Sequence, residues 1–178
     1  LIRRQRQMCI ETGYINSTAE IKSWSDVCVT SANAVQIVRN LPNQDILFIP
    51  DKNLGRYVAS QAPEKHVMLV KGCCPVHDQM SPKEVSGLKK IHPNALVLAH
   101  PECNAQVLEL ADYIGSTTGI LKYAAGTSRE FIICTEIGVR HELEQQNPDK
   151  QFYFPDTEPI CRDMKKITLD KIIHVLRT

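Results

Sequence analysis

A chain of 178 residues, 43% of them apolar and with a net charge of +1, has enough material for one medium or two small globular units. Near-balanced charge and 6% aromatics supply neither the basic stripe nor the stacking surface of a nucleic-acid binder, and no apolar run approaches the roughly 20 residues of a membrane helix. Seven cysteines, an odd number at irregular spacings, do not form a secreted disulfide framework, so the expected compartment is the reducing cytoplasm. The opening Leu1-Ile2-Arg3-Arg4 has neither an initiating Met nor a signal-peptide core and reads as the start of a truncated chain.

Gly13 to Ile15 is the first expected strand, and it runs into Ser17-Thr18-Ala19-Glu20, where either hydroxyl can cap a helix. Tyr14 and Asn16 are then either a half-buried phenol and a capping amide, or a pair aimed at a substrate carboxylate or oxyanion. Val27 to Val29 leads into Thr30-Ser31-Ala32-Asn33, a turn whose small residues let backbone amides approach an anion. Ile46 to Ile49 and Val67 to Val70 are the next strands, and the second opens into Lys71-Gly72-Cys73-Cys74-Pro75-Val76-His77. Gly and Pro bracketing adjacent thiols suit a rigid loop that presents one sulfur to a metal and packs the other beside it. Leu96 to Leu98 precedes His100-Pro101-Glu102-Cys103, either an acid/base pair held apart by a rigid Pro or a helix start whose Glu102 faces the dipole. Tyr113 to Ile114 ends in Gly115-Ser116-Thr117-Thr118-Gly119, a second hydroxyl-rich turn. Phe131 to Ile133 and Gln151 to Phe154 follow, then Pro159-Ile160-Cys161-Arg162-Asp163-Met164 and a last helix from Thr168 to Arg177.

Short apolar runs alternating with helical segments predict an α/β fold with parallel sheets. An offset of 86 residues brings several unlike features into register: Tyr14 on His100, Asn16 on Glu102, Asp26 on Asp112, Thr30-Ser31 on Ser116-Thr117, and Arg3-Arg4 on Lys89-Lys90. Cys74 falls one residue short of Cys161. The chain therefore reads as two copies of one unit, residues 1–77 and 78–178, each carrying its unusual residues just after a strand. Ligands bind there in parallel sheets. Alone, Cys161 would be core sulfur; paired with Cys74, it points to two equivalent loops each delivering a thiolate to a shared cleft. Zinc held by Cys73 or Cys74, His77, His100 and Cys103 is a competing reading, weakened by the absence of any Cys-x-x-Cys.

Gly-Tyr-Ile-Asn-Ser-Thr-Ala-Glu, Asp-Val-Cys-Val-Thr-Ser-Ala-Asn-Ala-Val, Pro-Asp-Lys-Asn-Leu-Gly, Lys-Gly-Cys-Cys-Pro-Val-His, His-Pro-Glu-Cys, Gly-Ser-Thr-Thr-Gly and the late Cys161 together resemble the quinolinate synthase family, in order and spacing, through nearly the whole chain. The resemblance implies three related α/β domains around a pseudo-threefold axis, each giving one cysteine to a 4Fe-4S cluster. Cys74 and Cys161 would be the ligands of the second and third domains, and the third ligand, with the rest of the first domain, would lie upstream of Leu1. Cys28, Cys73, Cys103 and Cys134 match no ligand position. The family's protein also continues beyond Thr178, so this chain is expected to be catalytically incomplete.

By the same resemblance, iminoaspartate, supplied by an L-aspartate oxidase or dehydrogenase, condenses with dihydroxyacetone phosphate to form quinolinate for NAD, and the open iron serves as a Lewis acid. Tyr14 and Asn16 would contact substrate, with Tyr14 able to gate or donate a proton. His100 and Glu102 would bind intermediates and move protons, and Ser31, Ser116 and Thr117 would hold carboxylate or phosphate. Two alternatives remain: a zinc-stabilised binding module, and a metal-free sugar-phosphate enzyme using the Ser/Thr turns with the His100–Glu102 pair.

Overall fold

The computed structural model describes residues 9–157 and 159–177. The first sheet holds β1 (Cys9–Tyr14), β2 (Val27–Val29), β3 (Asp45–Ile49) and β4 (His66–Leu69), in the order β2-β1-β3-β4. Helices α1 (Ala19–Trp24), α2 (Ala34–Asn40) and α3 (Lys52–Gln61) make its crossovers. After a single turn α4 (Pro75–Asp78) and helix α5 (Pro82–Ile91), the second sheet holds β5 (Leu96–Ala99), β6 (Tyr113–Ile114), β7 (Glu130–Cys134) and β8 (Gln151–Tyr153), in the order β6-β5-β7-β8. Its crossovers are α6 (Ala105–Leu108), α7 (Thr117–Ala124) and α8 (Arg140–Gln146), and α9 (Leu169–Arg177) comes last. All pairings in both sheets are parallel.

The two units thus share one topology, and counterpart strands start about 86 residues apart, as Cys9 and Leu96 or Val27 and Tyr113 show. The register match at Arg3-Arg4 lies outside the described residues. Each unit is a three-layer αβα sandwich. In the second, the alternating side chains of β5 and β7 feed two cores: Val97, Ala99 and Ile132 pack with Val85 and Val107, while Leu98, Phe131 and Ile133 pack with Ile120 and Leu143. Burial on both faces is why these strands read as unbroken apolar runs.

The first strand departs from expectation, beginning at Cys9 rather than Gly13. Its Glu11 and Thr12 show no apolar run, but the backbone pairs with β3 from Cys9–Asp45 through Gly13–Ile49, and Thr12 is buried. Ladder hydrogen bonds override side-chain pattern there. A Cβ on Gly13 would come within 2.2 Å of Ser25 Oγ, so glycine permits the close approach of the α1–β2 connection.

Local chemistry sets the helix starts. Thr18, Asp51, Ser81 and Ser116 each cap a helix with a side-chain oxygen, and Pro82 takes the first position of α5. The boundary proposed at residues 77/78 falls inside α4, whose His77 reaches Thr135 and Glu102 of the second unit while Asp78 meets Lys52 and Asn53 of the first. Asn53 Nδ2 also donates to Glu102 O at 3.0 Å, a buried bond that joins the units.

Candidate active site

The carboxyl ends of the strands of both units border a cavity of about 550 Å³, walled by Tyr14, Asn16, Asp51, Cys74, Glu102, Glu136 and Cys161 among others. Cys74 arrives on the loop after β4. A Cβ on Gly72 would lie 2.3 Å from Pro50 O, so only glycine lets this loop lie so close to the chain after β3. Cys161 arrives on the equivalent loop after β8. Both cysteines are half-buried, and Cys161 also borders a neighbouring cavity of about 730 Å³ beside Met80 and Arg162.

Tyr14 is the last residue of β1 and is buried. Its oxygen accepts from Asn16 Nδ2 at 3.0 Å and shares a hydrogen bond with Ser31. Burial, reinforced by the Glu102 carboxylate, pushes the phenol well above its usual range, so it stays protonated at neutral pH. In the turn after β2, Thr30 is taken up locally: its N–H and Oγ1 both donate to Asn33 Oδ1. Ser31 is the hydroxyl that reaches Tyr14.

His77, His100 and Glu102 form a buried cluster behind Cys74. His77 Nδ1 lies 3.2 Å from Cys74 Sγ and 3.1 Å from Glu102 Oε2, and its Nε2 lies 3.1 Å from Thr135 Oγ1. The His77 and His100 rings stack at 4.6 Å, and His100 Nδ1 accepts from Glu102 N at 3.3 Å. Their environments separate the two imidazoles. Burial works against the His77 charge, but hydrogen bonds to Cys74 and Glu102 outweigh it and lift its pKa to about 9. His100 is driven down to about 4, by burial first and then by the His77 charge. At neutral pH the two stacked rings beside Glu102 are therefore one protonated and one neutral imidazole.

Among the expected site residues, the structure brings Tyr14, Asn16, Glu102, Cys74 and Cys161 to one cavity wall. Ser31 reaches it through Tyr14, and His100 through Glu102. Ser116 and Thr117 are not among the residues that line this cavity. Ser116 Oγ accepts from Gly119 N at 3.2 Å as the cap of α7, and Thr117 is exposed. Replacing Ser116 with alanine should lower stability by about 1 kcal/mol, read by urea denaturation, as loss of a helix cap does.

Three residues of the site carry weaker signals in the sequence. His77 reads there only as a zinc candidate, although it follows Cys74 by three residues and Cys74 is the N-cap of the single turn α4 that carries it. Asp51, visible in sequence only as part of Pro-Asp-Lys-Asn-Leu-Gly, and Glu136 each lie two residues beyond a strand end, and both line the cavity. Of the remaining described cysteines, Cys103 and Cys134 are buried and burial raises both thiols, the latter to about 12, while Cys28 is exposed. Cys73 also lines the cavity, and burial and the Asp78 side chain raise its thiol.

The donor set therefore suits metal binding: Cys74, His77 and Glu102 offer ligand atoms within 4.8 Å of one another, and Cys161 faces the same space. A family model described as Quinolinate synthetase A protein matches residues 3–178. The chain belongs to this family. Quinolinate synthase of Clostridioides difficile (strain 630) is 44% identical over 177 residues, which cover 99% of this chain and 58% of that protein. The family's quinolinate synthases of Fusobacterium nucleatum and Caldicellulosiruptor bescii are 50% and 51% identical over 92% of this chain and 54% of their own lengths. The chain thus spans somewhat more than half the length of these relatives. Among the described residues, no helix is long and apolar enough to cross a membrane.

Proposed function

We propose that this chain forms two of the three lobes of a quinolinate synthase, with Cys74 and Cys161 each giving one thiolate to a 4Fe-4S cluster whose third cysteine comes from the remaining length of the protein. What supports this most is that two half-buried cysteines, delivered by equivalent loops of two equivalent units, line one cavity together with Tyr14, Asn16 and Glu102. A cluster bound by three thiolates would supply an open iron that polarises a substrate oxygen or nitrogen.

The side chains then divide the remaining work in converting iminoaspartate and dihydroxyacetone phosphate to quinolinate, the pyridine precursor of NAD. Tyr14, kept protonated by burial, donates a hydrogen bond or proton into the cavity, and Asn16 and Ser31 hold its hydroxyl in place. Protonated His77 pairs with the Glu102 side chain, and His100, stacked on the His77 ring and held neutral, serves as an uncharged hydrogen-bonding group beside them. Both substrates are anionic, and Ser31 and Asn16 are the neutral donors nearest the Tyr14 hydroxyl. Six free thiols among the described residues suit a reducing compartment such as the cytoplasm.

Anaerobic reconstitution with iron and sulfide, followed by visible absorption, EPR and a quinolinate assay, tests this reading. Protein of the relatives' full length should hold a stable cluster and form quinolinate, whereas this chain alone should hold iron weakly and form none. A stable four-iron cluster with ring-forming activity in the isolated chain would overturn the assignment of a third ligand elsewhere.

A second reading rests on a specific observation, the compact set of Cys74 Sγ, His77 Nδ1 and Glu102 Oε2. Three such ligands with an open side toward a cavity resemble a mononuclear zinc site. Metal analysis of protein purified without oxygen separates the two: one zinc per chain and no iron favours the mononuclear site.

A further inference from the structure

The loops that carry Cys74 and Cys161 are held by the same device, repeated once in each unit. Asp51 lies two residues beyond the end of β3, and Glu136 two residues beyond the end of its counterpart β7. One oxygen of each carboxylate serves its own turn. Asp51 Oδ1 accepts from Asn53 N and Leu54 N at 2.9 and 2.8 Å, and Glu136 Oε2 accepts from Gly138 N at 2.6 Å. The other oxygen crosses to the cysteine loop. Asp51 Oδ2 accepts from Cys74 N at 2.7 Å, and Glu136 Oε1 accepts from Cys161 N at 3.2 Å.

We propose that Asp51 and Glu136 are positioning residues, each a carboxylate clamp that fixes the main chain of one cysteine so that its sulfur faces the shared cavity. Fixing the cysteine amide fixes the Cα from which the thiolate projects, and a carboxylate does this more strongly than a neutral acceptor. The acceptor contacts the amide and leaves the sulfur free for a metal. The second copy uses a side chain one methylene longer, and its Oε1 also receives Lys165 Nζ at 3.4 Å. Repetition at equivalent positions with different side chains argues against an incidental helix cap, because a cap needs only the first oxygen. The inference rests on reading Cys74 and Cys161 as ligands, but its test needs no metal.

Asp51→Asn and Glu136→Gln separate the two duties. An amide keeps one oxygen, and asparagine caps a helix about as well as aspartate, so the turn survives while an N–H2 group faces the cysteine amide. The reduced, metal-free chain is treated with iodoacetamide, and the alkylation rates of Cys74 and Cys161 are read by mass spectrometry against exposed Cys28. D51N should speed Cys74 about tenfold and leave Cys161 unchanged, and E136Q should do the reverse, as expected for losing one charge-assisted hydrogen bond. Unchanged rates, or acceleration of both cysteines by either variant, overturn the proposal. Amide hydrogen exchange in the unmodified chain gives an independent reading that no folding defect can obscure. The Cys74 and Cys161 amides should be protected, and exchange at the rate of an open loop would sink the clamp. If instead the clamp holds but the full-length protein takes up no iron, the cluster reading fails alone.

Discussion

Replacing Cys74 or Cys161 with serine in protein of the relatives' full length should remove most of its iron and lower quinolinate formation by more than about a hundredfold. Losing a residue behind a metal ligand typically costs 10- to 100-fold, and losing the ligand itself costs more. Serine keeps the size of the side chain but is a poor iron ligand at neutral pH, so the fold should survive: both cysteines are half-buried and belong to none of the three cores. The contrast with Cys73 is the informative part. It borders the same cavity and is chemically identical to its neighbour, yet it is Cys74 that sits with His77 and Glu102 in one compact donor set, while burial and the Asp78 side chain raise the Cys73 thiol. Cys73→Ser should therefore keep iron content and activity within about twofold of the unmodified protein. Iron and labile-sulfide analysis after anaerobic purification checks all three variants, and loss of iron from Cys73→Ser alone would reverse the assignment within the pair.

The stability of the metal-free chain should depend on pH through the stacked imidazoles. His77 has its folded pKa raised from 6.5 to about 9. Its contribution is fully present below pH 6.5 and is lost as pH rises toward 9. His100 is depressed from 6.5 to about 4, so the unfolded chain takes up its proton first, and stability is lost as pH falls from 6.5 toward 4. Each limb spans roughly 2.5 pH units and is worth about 3 kcal/mol. Stability should therefore peak near pH 6.5. Urea denaturation across pH 4 to 9 reads the curve. His77→Gln should flatten the alkaline limb below about pH 8.5, where free thiols begin to ionise, and His100→Gln the acid limb. A flat profile in the unmodified chain, or an alkaline limb that survives in His77→Gln, would show that Cys74 and Glu102 do not hold a charged imidazole.

The fold was legible where burial dictates composition. Ile46–Ile49, Leu96–Leu98 and Phe131–Ile133 read as strands because a parallel sheet covered on both faces admits little else, and the repeat was legible because unlike residues recurred at one offset. The start of β1 was hidden, since Glu11 and Thr12 enter the sheet through backbone pairing that leaves no apolar trace. At the site, the strand-end residues Tyr14, Asn16, Cys74, Glu102 and Cys161 were legible because strand ends converge. Ser116 caps its helix, and because the side chains that bind anions at a helix start are also those that cap it, sequence does not separate the two duties. The partnership of His77 with Glu102 and Thr135 could not be seen, since it joins residues 25 and 58 positions apart through side chains alone. The contacts of Asp51 and Glu136 to the cysteine loops stay hidden for a related reason: they are made to backbone amides, which leave no mark on side-chain composition.

The most direct test of the central claim is anomalous diffraction at the iron absorption edge from crystals of anaerobically reconstituted full-length protein. The account predicts one compact multi-iron peak inside the cavity bounded by Tyr14 and Glu102, bonded to the sulfurs of both Cys74 and Cys161. Iron found away from that cavity, or the two sulfurs turned into separate unit interiors, would contradict it.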